Sequence, residues 1–262
     1  MQTAKILTMV REDRFAMFSK VMTNLLLNTT SISIEWEILT YSMDFAKFFK
    51  TEFAIAKRNK HLIDVHLVSH DVSMPAAKAR WALSHEGYDV FLVLDDDVLI
   101  AQNDFQKIVE AMEKLDSDKK CTPDMIVIST VDVENARGFP DYTDKVFSNP
   151  DGTDIILRKD IPLKMYGKVR FDHVGPAYGV SGTYIIKRDC FLALYESFIA
   201  YKKGERGYDT ELFLSIPEDK RVQLGQATAW HIGCYEPFFN EHWKGMRKEV
   251  SDYYEAKESP TV

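Results

Sequence analysis

Residues 91–100 read FLVLDDDVLI: an apolar run, Phe91 to Leu94, leads into three consecutive aspartates, Asp95, Asp96 and Asp97. The run is short, apolar and bounded by polar residues, which predicts a strand buried on both faces. Two carboxylates about 5 Å apart repel by roughly 3 kcal/mol at an effective dielectric of about 20. A whole domain is stable by only about 5–15 kcal/mol, so a chain that sets three of them against its core must offset that repulsion. Two agents can do so, a bound cation or plain solvent.

Outward from this strand, the first half alternates strand and helix signals. Lys5 to Val10, Glu35 to Tyr41, Asp64 to His70 and Met125 to Thr130 read as strands. Arg14 to Leu27, FAKFFKTEFAIAKR (45–58), AAKARWALSHE (76–86) and FQKIVEAMEKL (105–115) read as helices. Pro75 near N1 and Gly87 at the C′ position bracket the third of these helices. Strands alternating with helices imply βαβ units and a mostly parallel sheet. Residues 132–177 scatter Gly, Pro, Asp and Asn with little periodicity and suggest long loops. A strand running into a helix follows at 178–203, then a helix at 208–216, a strand at 227–233 and a C-terminal helix or tail at 241–257. With no internal repeat or low-complexity linker, the expectation is one domain over residues 1–262. It has a nucleotide-type front half (1–131) and an irregular back half (132–262).

The composition is that of a globular chain, with 45% hydrophobic and 28% charged residues. A net charge of −7 gives no general attraction to nucleic acid or to an anionic membrane. No window reaches the roughly 20 apolar residues of a transmembrane helix, and the N-terminus is no signal peptide. Cys121, Cys190 and Cys234 are widely spaced and lack metal-ligand spacing, so they read as reduced thiols of a cytoplasmic protein.

In a parallel sheet, ligands bind outside the carboxyl ends of the strands, where Asp95 to Asp97 fall. Carboxylates one residue apart can share a hard, oxygen-seeking cation such as Mg²⁺ or Mn²⁺, which commonly also takes substrate phosphates. The plainer alternative is a solvated turn that caps the next helix.

The block AKARWALSHEGYDVFLVLDDDVLI (77–100) resembles the central stretch of GT-A glycosyltransferases, in particular the family-2-like enzymes. Ala79 and Arg80 match an Ala-Arg pair on the preceding helix, Gly87 the helix stop, and Asp95 and Asp97 an Asp-x-Asp motif. The resemblance implies a Rossmann-like, mostly parallel sheet flanked by helices, with an irregular acceptor-side half. It also implies a nucleoside-diphosphate sugar as donor and Mn²⁺ or Mg²⁺ as cofactor. Asp97 would contact the metal, Asp95 would lie near the donor ribose and the metal, and Asp96 is the variable middle residue. Arg80, Arg11 and Lys78 would add positive charge near the phosphates or the carboxylates. YGVSGTYIIKRDCF (178–191) resembles the acceptor-side strand. There Gly182 would admit close approach of a sugar, or mark a strand bulge. GERGYDTELFL (204–214) resembles the signature of inverting members, with Asp209 as general base and Glu211 beside it; capping a helical turn is the other use of such a carboxylate. His231 in AWHIG resembles the histidine that completes the metal site, with His173 and His242 as weaker alternatives. Trp230, Trp243 and Tyr235 are candidates for stacking on a sugar or base, or for plain packing.

The pattern departs from the family in three places, one of which is Tyr208, standing where a Glu precedes the proposed base. Val10-Arg11-Glu12-Asp13 stands where Pro-Thr-Tyr-Asn is usual. Ser42-Met43-Asp44 replaces Asp-Asp-Gly-Ser, leaving Asp44 the nearest base-recognition carboxylate. The expected reaction is metal-dependent, inverting transfer of a sugar to an acceptor hydroxyl, whether of a glycan, lipid, protein or modified nucleobase. The rival enzyme is a nucleotidyltransferase, against which VREDRFAMF (10–18) counts because it has no glycine to grip a triphosphate. A catalytically silent nucleotide-sugar-binding module is the non-enzyme rival.

Overall fold

The apolar run before the aspartates is a strand, Val90–Val93, and all of its residues are buried. The computed structural model describes residues 2–29, 31–100, 102–117, 123–132, 183–195, 198, 212–213 and 215–231. Its strands are β1 (Gln2–Val10), β2 (Ile32–Thr40), β3 (Leu62–Leu67), β4 (Val90–Val93), β5 (Val98–Ile100), β6 (Met125–Asp132), β7 (Tyr184–Lys187) and β8 (Arg221–His231). The helices are α1 (Phe15–Asn28), α2 (Phe45–Phe48), α3 (Lys50–Arg58), α4 (Met74–Ser84), α5 (Gln102–Ser117) and α6 (Arg188–Ala193).

The strands form one sheet in the order β3-β2-β1-β4-β7-β6-β8-β5. β3, β2, β1 and β4 run parallel, as the alternation of strands and helices predicts, and β6 pairs parallel with β8. β7 and β5 run against their neighbours. Side chains alternate between two buried layers, the ordinary consequence of a period of two in a strand covered on both faces. Ala4, Ile6 and Val10 of β1 join Trp36 and Ile38 against α1, α3 and α5. Leu7 and Met9 point the other way and join Phe91 and Val93 against α4 and α6.

Several details differ from the sequence reading: β1 begins three residues early, at Gln2, β3 spans Leu62–Leu67, and β8 begins six residues early, at Arg221. β2 begins three residues early, at Ile32, and the helix expected over 45–58 breaks at Phe49 into α2 and α3. β5 is a three-residue strand, too short to carry a periodicity of its own. Gly87 is not a left-handed helix stop. His85 is the C-cap of α4 (φ −115°, ψ 73°), Gly87 keeps out of the left-handed region, and a Cβ there would meet nothing within 4 Å. The loops expected at 132–177 and the helices at 208–216 and 241–257 lie wholly or largely outside the described residues.

A length constraint shapes the sheet beside the aspartates. Only residues 94–97 join β4 to β5, and five Cα steps reach at most about 17 Å. In sheet order the two strands are four spacings apart, about 19 Å if the sheet were flat. The sheet therefore bends. β8 carries an irregularity where its register against β6 jumps from Ile128↔Leu224 to Ser129↔Thr228, and its last residues pair with β5. Bulges of this kind increase local twist and re-aim a strand end.

The sheet's first half rests on an aromatic cluster. Phe18 of α1 is fully buried and sits edge-on to Trp36, 5.6 Å between centroids, and within 5.6 Å of Phe49. The Trp36 indole N–H donates to Thr8 Oγ1 at 2.9 Å, so the ring is satisfied where it is buried. Phe18→Ala is expected to cost about 3–5 kcal/mol, read as a lower urea midpoint at unchanged slope.

Candidate active site at the aspartate turn

β1 and β4 are parallel neighbours, so the segment leaving β1 meets the segment leaving β4. Residues Glu12–Arg14 make a single 3-10 turn after β1, and this turn delivers Arg14 to the aspartates. One guanidinium nitrogen, Nη1, donates to Asp96 Oδ1 at 2.7 Å and to Asp97 Oδ2 at 2.6 Å. The Arg11 amide donates to the other oxygen of Asp96 at 3.4 Å. On the far side, the Lys78 ammonium of α4 lies 4.0 Å from Asp95 Oδ1. Lys78 is only 1% exposed, an unusual state for a lysine that the adjacent carboxylate accounts for.

The sequence reading offered a bound cation or solvent as the agent that offsets the clustered charge. The structure gives a third answer, cations of the protein itself. Asp96 and Asp97 are 4% and 1% exposed, which leaves solvent little part. Burial pushes the Asp96 carboxyl up to about 6, with Asp97 and Asp95 adding to the rise while Arg14 draws it down. Burial works against the Arg14 charge, but Asp97 and Asp96 outweigh it and raise the guanidinium further above its ordinary range. Asp95 is the member that opens outward, with 31% of its side chain exposed.

The expected residues separate into groups. Asp95, Asp96, Asp97 and Lys78 are together. Arg11 contributes its amide, while its guanidinium turns to Asp13 at 3.3 Å. Arg80 lies two residues beyond Lys78, about 200° further round the helix, and is exposed. Asp44 lies beyond the carboxyl end of β2, with its exposed side chain on Lys47 at 2.8 Å. His231 is the last residue of β8, and its backbone pairs with Val98, the residue after Asp97. Trp230 pairs in the same way with Leu99. Gly182, Asp209, Glu211, His173, His242, Trp243 and Tyr235 lie outside the described residues.

Two features went unread in the sequence. In the sequence Arg14 reads only as the start of a helix, and its place just after a strand flanking β4 is the available signal. Tyr41 and His70, beyond the carboxyl ends of β2 and β3, stack with centroids 5.6 Å apart and planes 19° apart. Tyr41 is anchored by its hydroxyl, which donates to the Val72 carbonyl at 2.6 Å.

A divalent metal suits the donor set on one count: carboxylate oxygens clustered at a strand end are ligands for Mn²⁺ or Mg²⁺. Arg14 takes one oxygen of Asp97, and a carboxylate offers two oxygens with about four lone-pair directions.

The fold is that of GT-A glycosyltransferases. A mannosyltransferase from Pyrobaculum calidifontis, solved with GDP-Man and Mn²⁺, aligns at a TM-score of 0.56 and 10% identity over 100% of this chain and 65% of that one. TarS (residues 1–349) of S. aureus aligns at 0.53 and 14% identity over 89% of this chain and 61% of its own. GalNAc-T7, solved with UDP, GalNAc and Mn²⁺, aligns at 0.53 and 12% identity over 88% and 43%. The chain thus spans less than two thirds of the length of these proteins. A thymidylyltransferase from Bacillus anthracis aligns at 0.47. No family model matches the chain, and no curated protein does.

Arg14→Met strands two buried carboxylates and is expected to destabilise the protein by about 3–5 kcal/mol in chelator. In an Asp96→Asn background the same substitution is expected to cost less. Urea denaturation of the four proteins in that cycle measures the coupling.

Proposed function

We propose that the protein is a metal-dependent glycosyltransferase that moves a sugar from a nucleoside-diphosphate sugar to an acceptor hydroxyl, with inversion. The observation that carries this reading is the aspartate turn at the carboxyl end of β4, in a GT-A fold, with the backbone of His231 paired next to Asp97. Asp97, His231 and Asp95 would hold Mn²⁺ or Mg²⁺ together with the donor diphosphate. The cation would supply charge neutralisation as the diphosphate leaves.

The chain's own residues do the remaining work. Arg14 pins Asp96 Oδ1 and Asp97 Oδ2, so the two carboxylates keep a fixed spacing. Lys78 holds Asp95 from beneath and places a positive charge near the phosphates; Arg80 would add to it only through donor groups that extend past α4. Tyr41 and His70, with Asp44 nearby, offer a stacking surface and a carboxylate for the nucleoside base. Asp209 would accept the proton of the acceptor hydroxyl, with Glu211, Gly182 and Trp230 shaping the acceptor side. In this reading residues 1–131 bind the donor and residues 132–262 the acceptor, within one domain.

Burial raises the Cys190 thiol to about 11, so it stays protonated and unreactive, in keeping with a cytoplasmic setting. No described helix is long and apolar enough to cross a membrane. The nucleotidyltransferase alternative is weakened by the segment after β1, which is a tight turn with its arginine committed to aspartates instead of a glycine-rich phosphate grip.

A thermal-shift panel of nucleoside diphosphates and their sugars, with Mn²⁺ and with chelator, tests the donor and the metal together. One nucleotide is expected to stabilise the protein only with metal, by an amount that grows with the logarithm of its excess over Kd. No shift with any diphosphate would return the turn to a purely structural role. Asp97→Asn is expected to abolish transfer and weaken donor binding, and Asp209→Asn to abolish transfer with donor binding kept. Near wild-type turnover in Asp209→Asn would remove Asp209 as the base, and a donor left intact by the wild-type protein would favour a binding module.

A further inference from the structure

On the α4 face of the sheet, away from the aspartate turn, three side chains converge from three elements. Glu37 comes from β2, His66 from the neighbouring strand β3, and His85 from the C-cap of α4. One ligand atom from each lies within 4.8 Å of the others. The Nε2 of His66 is 2.5 Å and the Nε2 of His85 3.8 Å from the same oxygen, Oε2 of Glu37. Glu37 is buried, and both histidines are partly exposed, so the cluster has a dry floor and an open mouth.

Each ligand atom is aimed by a second contact. Nδ1 of His85 is 2.8 Å from the Trp81 carbonyl and 3.0 Å from the Ser84 hydroxyl; a ring proton on Nδ1 satisfies the carbonyl, which can only accept. The same ring stacks on Trp81, centroids 4.6 Å apart and planes 20° apart, which fixes its plane. Nε2 of the same ring faces a carboxylate oxygen, and among the described residues that nitrogen has no hydrogen bond. Glu37 is held by the Tyr88 hydroxyl at 3.0 Å on Oε1 and by the Trp81 indole N–H at 3.3 Å on Oε2. Backbone carbonyls and neutral donors that orient imidazole and carboxylate ligands are the usual outer shell of a metal site.

We propose that Glu37, His66 and His85 form a zinc site, with water or hydroxide as fourth ligand. Two imidazoles and one carboxylate are a zinc donor set, and tetrahedral bonds of about 2.0–2.2 Å place ligand atoms roughly 3.3 Å apart. The two separations here, 2.5 and 3.8 Å, straddle that value, so adjustments within side-chain reach close the site. Zinc takes the place of the proton between His66 and Glu37, and that proton moves to Nδ1 of the same ring or to solvent. Asp64, two residues before His66 in β3 and opposite Glu37, and Glu35 near Tyr88 add negative charge around the ion. The ion would tie the edge strand β3 to β2 and to the end of α4, the helix that carries Lys78 to Asp95. This site shares no residue with the aspartate turn and does not rest on the transferase reading.

The test is zinc binding to the full chain after metal removal, followed by competition with a chromophoric chelator and by thermal shift. The wild type is expected to bind one Zn²⁺ that Asp97→Asn still binds. His66→Gln and His85→Asn are each expected to weaken it at least ~10-fold. Substituted Co²⁺ should give the visible bands of a four-coordinate ion in the wild type and in Asp97→Asn, but not in the two histidine variants. No uptake by the wild type, uptake unchanged in both histidine variants, or uptake lost only in Asp97→Asn would each overturn the assignment.

Discussion

The Arg14 guanidinium between Asp96 and Asp97 is the contact on which the candidate site depends. Three carboxylates at the end of a buried strand repel one another, and a buried pair missing its partner costs several kcal/mol. One nitrogen spans both carboxylates, and the Arg11 amide secures the outer oxygen of Asp96. Lys78, itself buried, does the corresponding work for Asp95 from α4. Two cations from two sides of the turn thus balance most of the charge of three anions, with Asp95 on Lys78 and the Asp96–Asp97 pair sharing Arg14. An arrangement with fixed internal counter-ions and one outward-facing carboxylate is suited to take and release a charged ligand without the turn rearranging.

The sheet supplies the geometry for that balance. β1 and β4 are adjacent and parallel, so their exits face each other and Arg14 needs only a single turn to arrive. The connection to β5 is too short for a flat sheet, and the irregularity in β8 brings the end of that strand beside the aspartates. The same bend that satisfies a length constraint brings a histidine into register next to the carboxylates. Packing, chain length and ligand chemistry meet at residues 94–98.

Much of the front half is legible in sequence because its strands are buried on both faces and its helices have one apolar side. Phe91 to Leu94 and Met125 to Thr130 show as continuous apolar runs, and α1 shows as a periodic one. β5 escapes because three residues cannot display a period, and Gly87 misleads because a glycine near a helix end need not take up its conformational freedom. At the site, Asp95 to Asp97 are visible as a run of charge, yet their partners are not. Arg14 is distant in sequence, and nothing local distinguishes it from Arg11. The parallel pairing of β1 with β4 brings the segment to the aspartates, and the single turn over Glu12–Arg14 selects Arg14. The cluster of Glu37, His66 and His85 is unreadable for the same reason: a register between β2 and β3 and the end point of α4 bring it together, and the spacing of the three residues carries no motif.

The short crossing from β4 to β5 also orders events in time. The aspartates and their cationic partners emerge early in synthesis, whereas β8, which β5 must pair with, is more than a hundred residues downstream. Contacts so far apart in sequence close late, because loop entropy must be overcome before they form. Until β8 docks, β5 lacks that strand partner, so the chain leaving the acidic turn is unanchored although Arg14 and Lys78 already hold its aspartates. Vectorial synthesis therefore delivers a core first and a competent turn last.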